Sequence, residues 1–217
     1  QTQHSNYSQL YKKFCIEFLL NGSLEPLLNR LHKENPKIQH FYQFFRLVSF
    51  TRVSSSYEDI QAYMVMLKDS LVAFINSIDI NSFRNMDSTE LLFICSFSIS
   101  VTSNLSDFDD LILSCMNFAL KCIRCDFLDK QICGAKLLNK IAGIDNRELL
   151  IKFIKELDIY NIIVSKDYHE SVLPHLVSAF DFLTQIEINS SNFSEILIKI
   201  WNKIQHSHFT EKDQWID

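Results

Sequence analysis

Apolar residues recur at three- and four-residue spacing along most of this chain, the period of a helix that buries one face. Leu10, Phe14 and Phe18, with Tyr11 beside them, predict a first helix over 6–20. Asn21-Gly22-Ser23 ends it, glycine supplying a left-handed cap. Glu25-Pro26 and Asn35-Pro36 each open a further helix, because proline fits a first turn whose N–H has no intrahelical partner. The second of these turns Ile38, Phe41, Tyr42, Phe45 and either Val48 or Leu47 inward. After a polar break at 51–56, Tyr57 to Ile78 forms a long helix with the stripe Ile60, Met64, Leu67, Leu71, Phe74, Ile75 and Ile78. A loop spans 79–87. Ser88-Thr89-Glu90 then starts a helix to about Val101 that is apolar nearly all round, so neighbours are expected on both sides. Beyond a break at 104–107, Asp107 to Ile123 reads as helical, and Asp107, Asp109 and Asp110 suit the positive end of its dipole.

In the last third, Asp126 is expected to cap a helix that Gly143 ends. Asp145 or Asn146 caps the next, with Leu149, Leu150, Phe153, Ile154 and Leu157 inside. The β-branched run at 159–164, IYNIIV, is ambiguous, but no evident strand is there to pair with it. Lys166 to Ile186 reads as helical, Pro174 either lying in its first turn or kinking it. Ser190 to His206 is the last complete helix, with Ile196, Ile200 and Trp201 inward, and 210–217 reads as the first turn of another.

Nine or ten helices joined by short links predict an all-α fold in which sequential helices pack as neighbours. The expected architecture is an armadillo/HEAT-like α-solenoid of antiparallel helix pairs, at about 40 residues per unit. A closed helical bundle is its rival. The whole of 1–217 is expected to be one helical-repeat domain, a piece of a longer protein, with 103–106 the place where the pattern offers a subdivision.

Composition agrees. Three Gly and three Pro in 217 residues fall well below the usual shares of about 7% and about 5%, too few for the turns of an all-β fold. Hydrophobic residues make up 47%, enough for a continuous core. Net charge is −5, and the nearest approach to a basic cluster is Lys12-Lys13, which reads as a solvated helix face, so no nucleic-acid partner is expected. The longest apolar run, LLFICSFSISV from Leu91, is serine-studded and shorter than the roughly 18 residues of a membrane span, so no membrane partner is expected either. The six cysteines sit mostly in apolar helical stretches and read as reduced thiols, which places the chain in the cytoplasm or nucleus.

Candidate chemistry is sparse. Cys122-Ile-Arg-Cys125 lacks the βαβ setting of a redox motif. Cys115, Cys122, Cys125 and Cys133 offer four sulfur ligands around a helix junction, so zinc remains open there, against thiols simply packed in a core. His169 and His175 flank Pro174 without an H-E-x-x-H spacing, and His206-Ser-His208 sits at a helix end. Three scattered glycines make no phosphate loop, and Glu58-Asp59 and Asp109-Asp110 are explained by helix starts. No catalytic, cofactor-binding or metal-binding residue is assigned, and no cofactor.

One stretch carries a family pattern. It begins Phe127-Leu128-Asp129-Lys130-Gln131-Ile132-Cys133-Gly134-Ala135-Lys136-Leu137-Leu138-Asn139-Lys140-Ile141 and continues with Phe153-Ile154-Lys155-Glu156-Leu157-Asp158-Ile159 to Ile162 and Ile163. His169 stands in the linker, Phe182-Leu183 near the next helix end, and Ile200-Trp201-Asn202-Lys203 in the last helix. This resembles the non-catalytic helical-repeat region of the very large ubiquitin-specific proteases of the fat-facets type. Phe153 departs from a Trp common in that family, Asp158 from its Asn-rich turn, and Gln205-His206-Ser207-His208 from its Gly-Lys-His-Glu box. The resemblance covers about 127 to 205. It implies an armadillo-like scaffold segment of a ubiquitin carboxyl-terminal hydrolase-like protein, a thiol-dependent deubiquitinase, positioning protein partners such as ubiquitinated substrates. That family's cysteine and histidine boxes are absent from this chain, so no catalytic residue carries over. The alternatives are a helical-repeat adaptor of another assembly, in transport or RNA processing, and an all-helical enzyme with zinc on the cysteine group.

Overall fold

In the computed structural model, residues 31, 38–51, 57–80, 88–103, 105–157, 159, 161, 166–186, 198 and 202 are described. Among them the regular structure is all helical: seven α-helices, one 3-10 turn and no strand. The helices are α1 (Ile38–Thr51), α2 (Tyr57–Ser77), α3 (Ser88–Thr102), α4 (Asp109–Arg124), α5 (Leu128–Ala142), α6 (Arg147–Leu157) and α7 (Leu173–Ile186), with the 3-10 turn at Ser106–Phe108. The chain divides into two compact units, Gln1–Ser114 and Cys115–Asp217, and the division falls within α4.

In the first unit most of the expected stripe residues are buried, Tyr42 is half-buried, and the side chains of Leu47 and Ile60 lie outside the described residues. On α1 the buried ones are Ile38, Phe41, Phe45 and Val48, joined by Phe44; on α2 they are Met64, Leu67, Leu71, Phe74 and Ile75, with Ile78 just beyond its end. α1 and α2 both pack against α3. Aromatic pairs join the three helices: the rings of Phe41 on α1 and Phe74 on α2 are centred 4.8 Å apart, those of Phe45 on α1 and Phe97 on α3 5.3 Å apart, and Tyr42 of α1 meets Phe93 of α3 edge-on at 5.5 Å. Such ring pairs add about 0.5–1.5 kcal/mol each beyond the area they bury.

The helix with no polar side, α3, has both α1 and α2 as neighbours, and it buries Ser98 and Thr102 as well as Leu91, Ile94 and Ile99. Each buried hydroxyl is satisfied within the helix. Ser98 Oγ donates to the Ile94 carbonyl at 2.8 Å and Thr102 Oγ1 to the Ser98 carbonyl at 2.7 Å. A serine-rich helix can therefore sit in a core without orphaned polar atoms.

In the second unit α7 packs on α5 and α6. Leu137, Leu138 and Ile141 of α5, Leu150 and Phe153 of α6, and Leu176, Ala179 and Leu183 of α7 are buried. α5 also approaches α4 so closely that Gly134 has no room for a side chain. A Cβ there would lie 2.6 Å from the Ala119 carbonyl oxygen and 2.7 Å from Cys122 Cβ.

Boundaries differ from expectation in three places. Asp126 does not cap α5: Phe127 occupies the cap position with extended backbone and no side-chain hydrogen bond, and the Asp126 carboxylate turns to Lys166. α7 starts at Leu173 rather than Lys166, because 166–169 is irregular and 170–172 forms a turn closed by hydrogen bonds to the His169 carbonyl. Pro174 then lies in the first turn, where its ring and missing N–H disturb nothing. Asp107 belongs to the 3-10 turn, and Asp109 and Asp110 open α4. Of the two candidate caps before α6 it is Asn146 that serves, its Oδ1 accepting from the Leu149 N–H at 3.1 Å. The expected helices over 6–20 and 210–217, the one opened by Glu25-Pro26 apart from helical Leu31, and most of 159–164 and 190–206 lie outside the described residues.

Candidate functional site

Among the described residues two polar assemblies stand out, one in each unit. In the first unit a groove of about 560 Å3 opens between α2 and the turn that leads into α4. Val65, Lys68 and Asp69 line it from α2, and Asp107, Phe108, Asp109 and Asp110 from the turn. The local sequence explains the arrangement. Phe108 is apolar and buried, and pulls the 3-10 turn onto the unit's core, leaving Asp107 of the turn and Asp109 and Asp110 at the start of α4 exposed at the rim. Lys68 holds its ammonium 5.7 Å from the centre of the Phe108 ring, within the range of a cation–π contact. Four carboxylates face one ammonium, so the groove is anionic, and Val65, 62% exposed, adds an apolar lip. Carboxylates beside exposed apolar surface fit a cationic, partly apolar segment of a protein better than an anionic ligand.

In the second unit the corner between α4 and α5 gathers Cys125, Asp126, Gln131 and Lys166. A helix end leaves carbonyls without intrahelical donors, and the Cys125 carbonyl, just past α4, collects two. Gln131 Nε2 donates to it at 2.6 Å and Lys166 Nζ at 3.0 Å. Lys166 also donates to Asp126 Oδ1 at 2.7 Å, which holds that carboxyl below its ordinary pKa. The segment containing Lys166 is thereby pinned to a corner forty residues earlier in the chain. The Cys125 thiol donates to the Phe127 carbonyl at 3.7 Å, and burial pushes its pKa up. A raised pKa keeps the thiol protonated at neutral pH, the opposite of an activated nucleophile.

The residues singled out from the sequence fall as follows. Cys115 and Cys122 are buried on α4, Cys133 is buried on α5, and Cys125 is half-exposed at the corner; all four, like Cys95, are outside any disulfide. Among the described residues no three His, Cys, Asp or Glu side chains come together in a way that could hold a metal ion. His169 is exposed and closes a local turn, its Nδ1 accepting from the Ser171 N–H at 3.2 Å. His175 is half-buried on α7, and its burial, followed by the nearby Lys136 charge, pushes its pKa down. Tyr168 is buried, and that burial raises its pKa to about 12. Among the described residues no helix is long and apolar enough to cross a membrane.

Sequence reasoning missed both polar assemblies. Asp107, Asp109 and Asp110 were legible as a helix start, but their meeting with Val65, Lys68 and Asp69 joins segments about forty residues apart. Lys166 carried no local signal, since its partners lie at 125 and 126. No protein-family model matches this chain, and neither does any curated protein or solved structure.

Proposed function

We propose that this chain is a non-catalytic protein-interaction scaffold, an armadillo/HEAT-like α-solenoid of antiparallel helix pairs that positions partner proteins for a ubiquitin carboxyl-terminal hydrolase. The observation that carries the interaction role is the groove lined by Val65, Lys68, Asp69 and Asp107–Asp110, an anionic cleft with an apolar lip suited to a basic segment of a partner. The all-helical character of the described residues supports an all-α fold and is shared by the solenoid and its rival, a closed bundle. The link to ubiquitin hydrolysis rests on the residue pattern from Phe127 to Trp201, and the partners it suggests are ubiquitinated substrates.

Each part has its own test. Small-angle X-ray scattering addresses the shape: a compact 217-residue domain has a radius of gyration near ~17 Å, and an open solenoid exceeds it clearly. A value near ~17 Å refutes the solenoid in favour of a bundle. For the groove, a photo-crosslinking residue at position 65 should capture partner proteins that the double charge reversal Asp69→Lys, Asp110→Lys no longer holds; capture unaffected by the reversal removes the groove from the function. The sequence of the full transcript decides the ubiquitin part. A papain-like Cys-His hydrolase domain in the same polypeptide is expected, and its absence makes the chain an adaptor of another assembly.

A further inference from the structure

We draw no further inference here: the strongest candidate, the exposed apolar pair Val65 and Met66 on α2 in the first unit, carries nothing because nothing in the structure shows what covers it.

Discussion

Gly134→Ala is the most discriminating single change this fold offers. Alanine is the better helix former by about 0.8–1.0 kcal/mol, so an α5 free of neighbours would gain stability from it. The surroundings of Gly134 reverse that expectation. The new methyl would meet the Ala119 carbonyl oxygen at 2.6 Å, Cys122 Cβ at 2.7 Å and the Ile123 nitrogen at 3.0 Å. The oxygen and nitrogen belong to the α4 backbone, so no rotamer change relieves them. Ordinary contact begins at 3.4 Å, so α5 must back away by about 0.8 Å, and its packing on α7 opposes that movement. Overpacking of this kind costs about 1–3 kcal/mol, with backbone clashes toward the upper end. Less the helix-propensity gain, the expected net loss is about 1–2 kcal/mol. The control is Gly143→Ala, whose Cβ would find its nearest neighbours at 3.7 and 3.8 Å with φ at −85°, and which should leave stability unchanged or improve it by up to about 1 kcal/mol. Thermal and urea unfolding of the full chain, followed by circular dichroism at 222 nm, separates the two. Each kcal/mol moves the midpoint of a 150–250-residue protein by about 2–4 °C, so the Gly134 variant should melt a few degrees earlier than both the parent and the Gly143 variant. A Gly134→Ala protein as stable as the Gly143→Ala protein would refute the close approach of α4 and α5.

The corner at Cys125 predicts non-additivity. Gln131→Leu alone should cost about 1 kcal/mol and Lys166→Met less than about 1 kcal/mol, because each leaves the Cys125 carbonyl one donor; the double variant should exceed their sum, and additivity within about 0.5 kcal/mol in urea titrations would sink the shared-carbonyl account. His175 has a folded pKa below its ordinary 6.5, so the unfolded state takes up its proton first and the second unit loses stability as pH falls through 6.5 toward the folded value. His175→Gln should flatten that limb of the stability–pH curve, and an NMR titration placing the imidazole at or above 6.5 would contradict it. Among Cys95, Cys115, Cys122, Cys125 and Cys133 in the native protein, iodoacetamide should reach Cys125 first, and at neutral pH slowly, because only this thiol of the five is partly exposed and its thiolate is disfavoured. Peptide mapping that finds Cys115 or Cys122 alkylated sooner would show the α4–α5 contact to be open.

How much of the fold could be read in advance varies by element. The α2 stripe Met64, Leu67, Leu71, Phe74, Ile75 was legible to the residue, because a helix buries whatever falls on one face and the 3.6 period picks that face out. That α3 has more than one helix as a neighbour was legible from its lack of a polar side, but the placing of Ser98 and Thr102 was not: their hydroxyls are buried because the Ile94 and Ser98 carbonyls one turn back accept them. Asp126 and Lys166 show the reverse case. A carboxylate before a helix is an ordinary cap, and only a lysine forty residues later draws it away. The sequence by itself thus determined what depends on neighbours within a turn or two: helical identity, most of the buried stripes, the start of α6 near Asp145 or Asn146 and the end of α5 at Gly143. Tertiary structure alone decided the groove at Lys68 and Asp107–Asp110, the Cys125 corner and the need for glycine at 134. Each of these joins side chains or backbone from different helices, and helical periodicity specifies which face is buried but not which other face meets it.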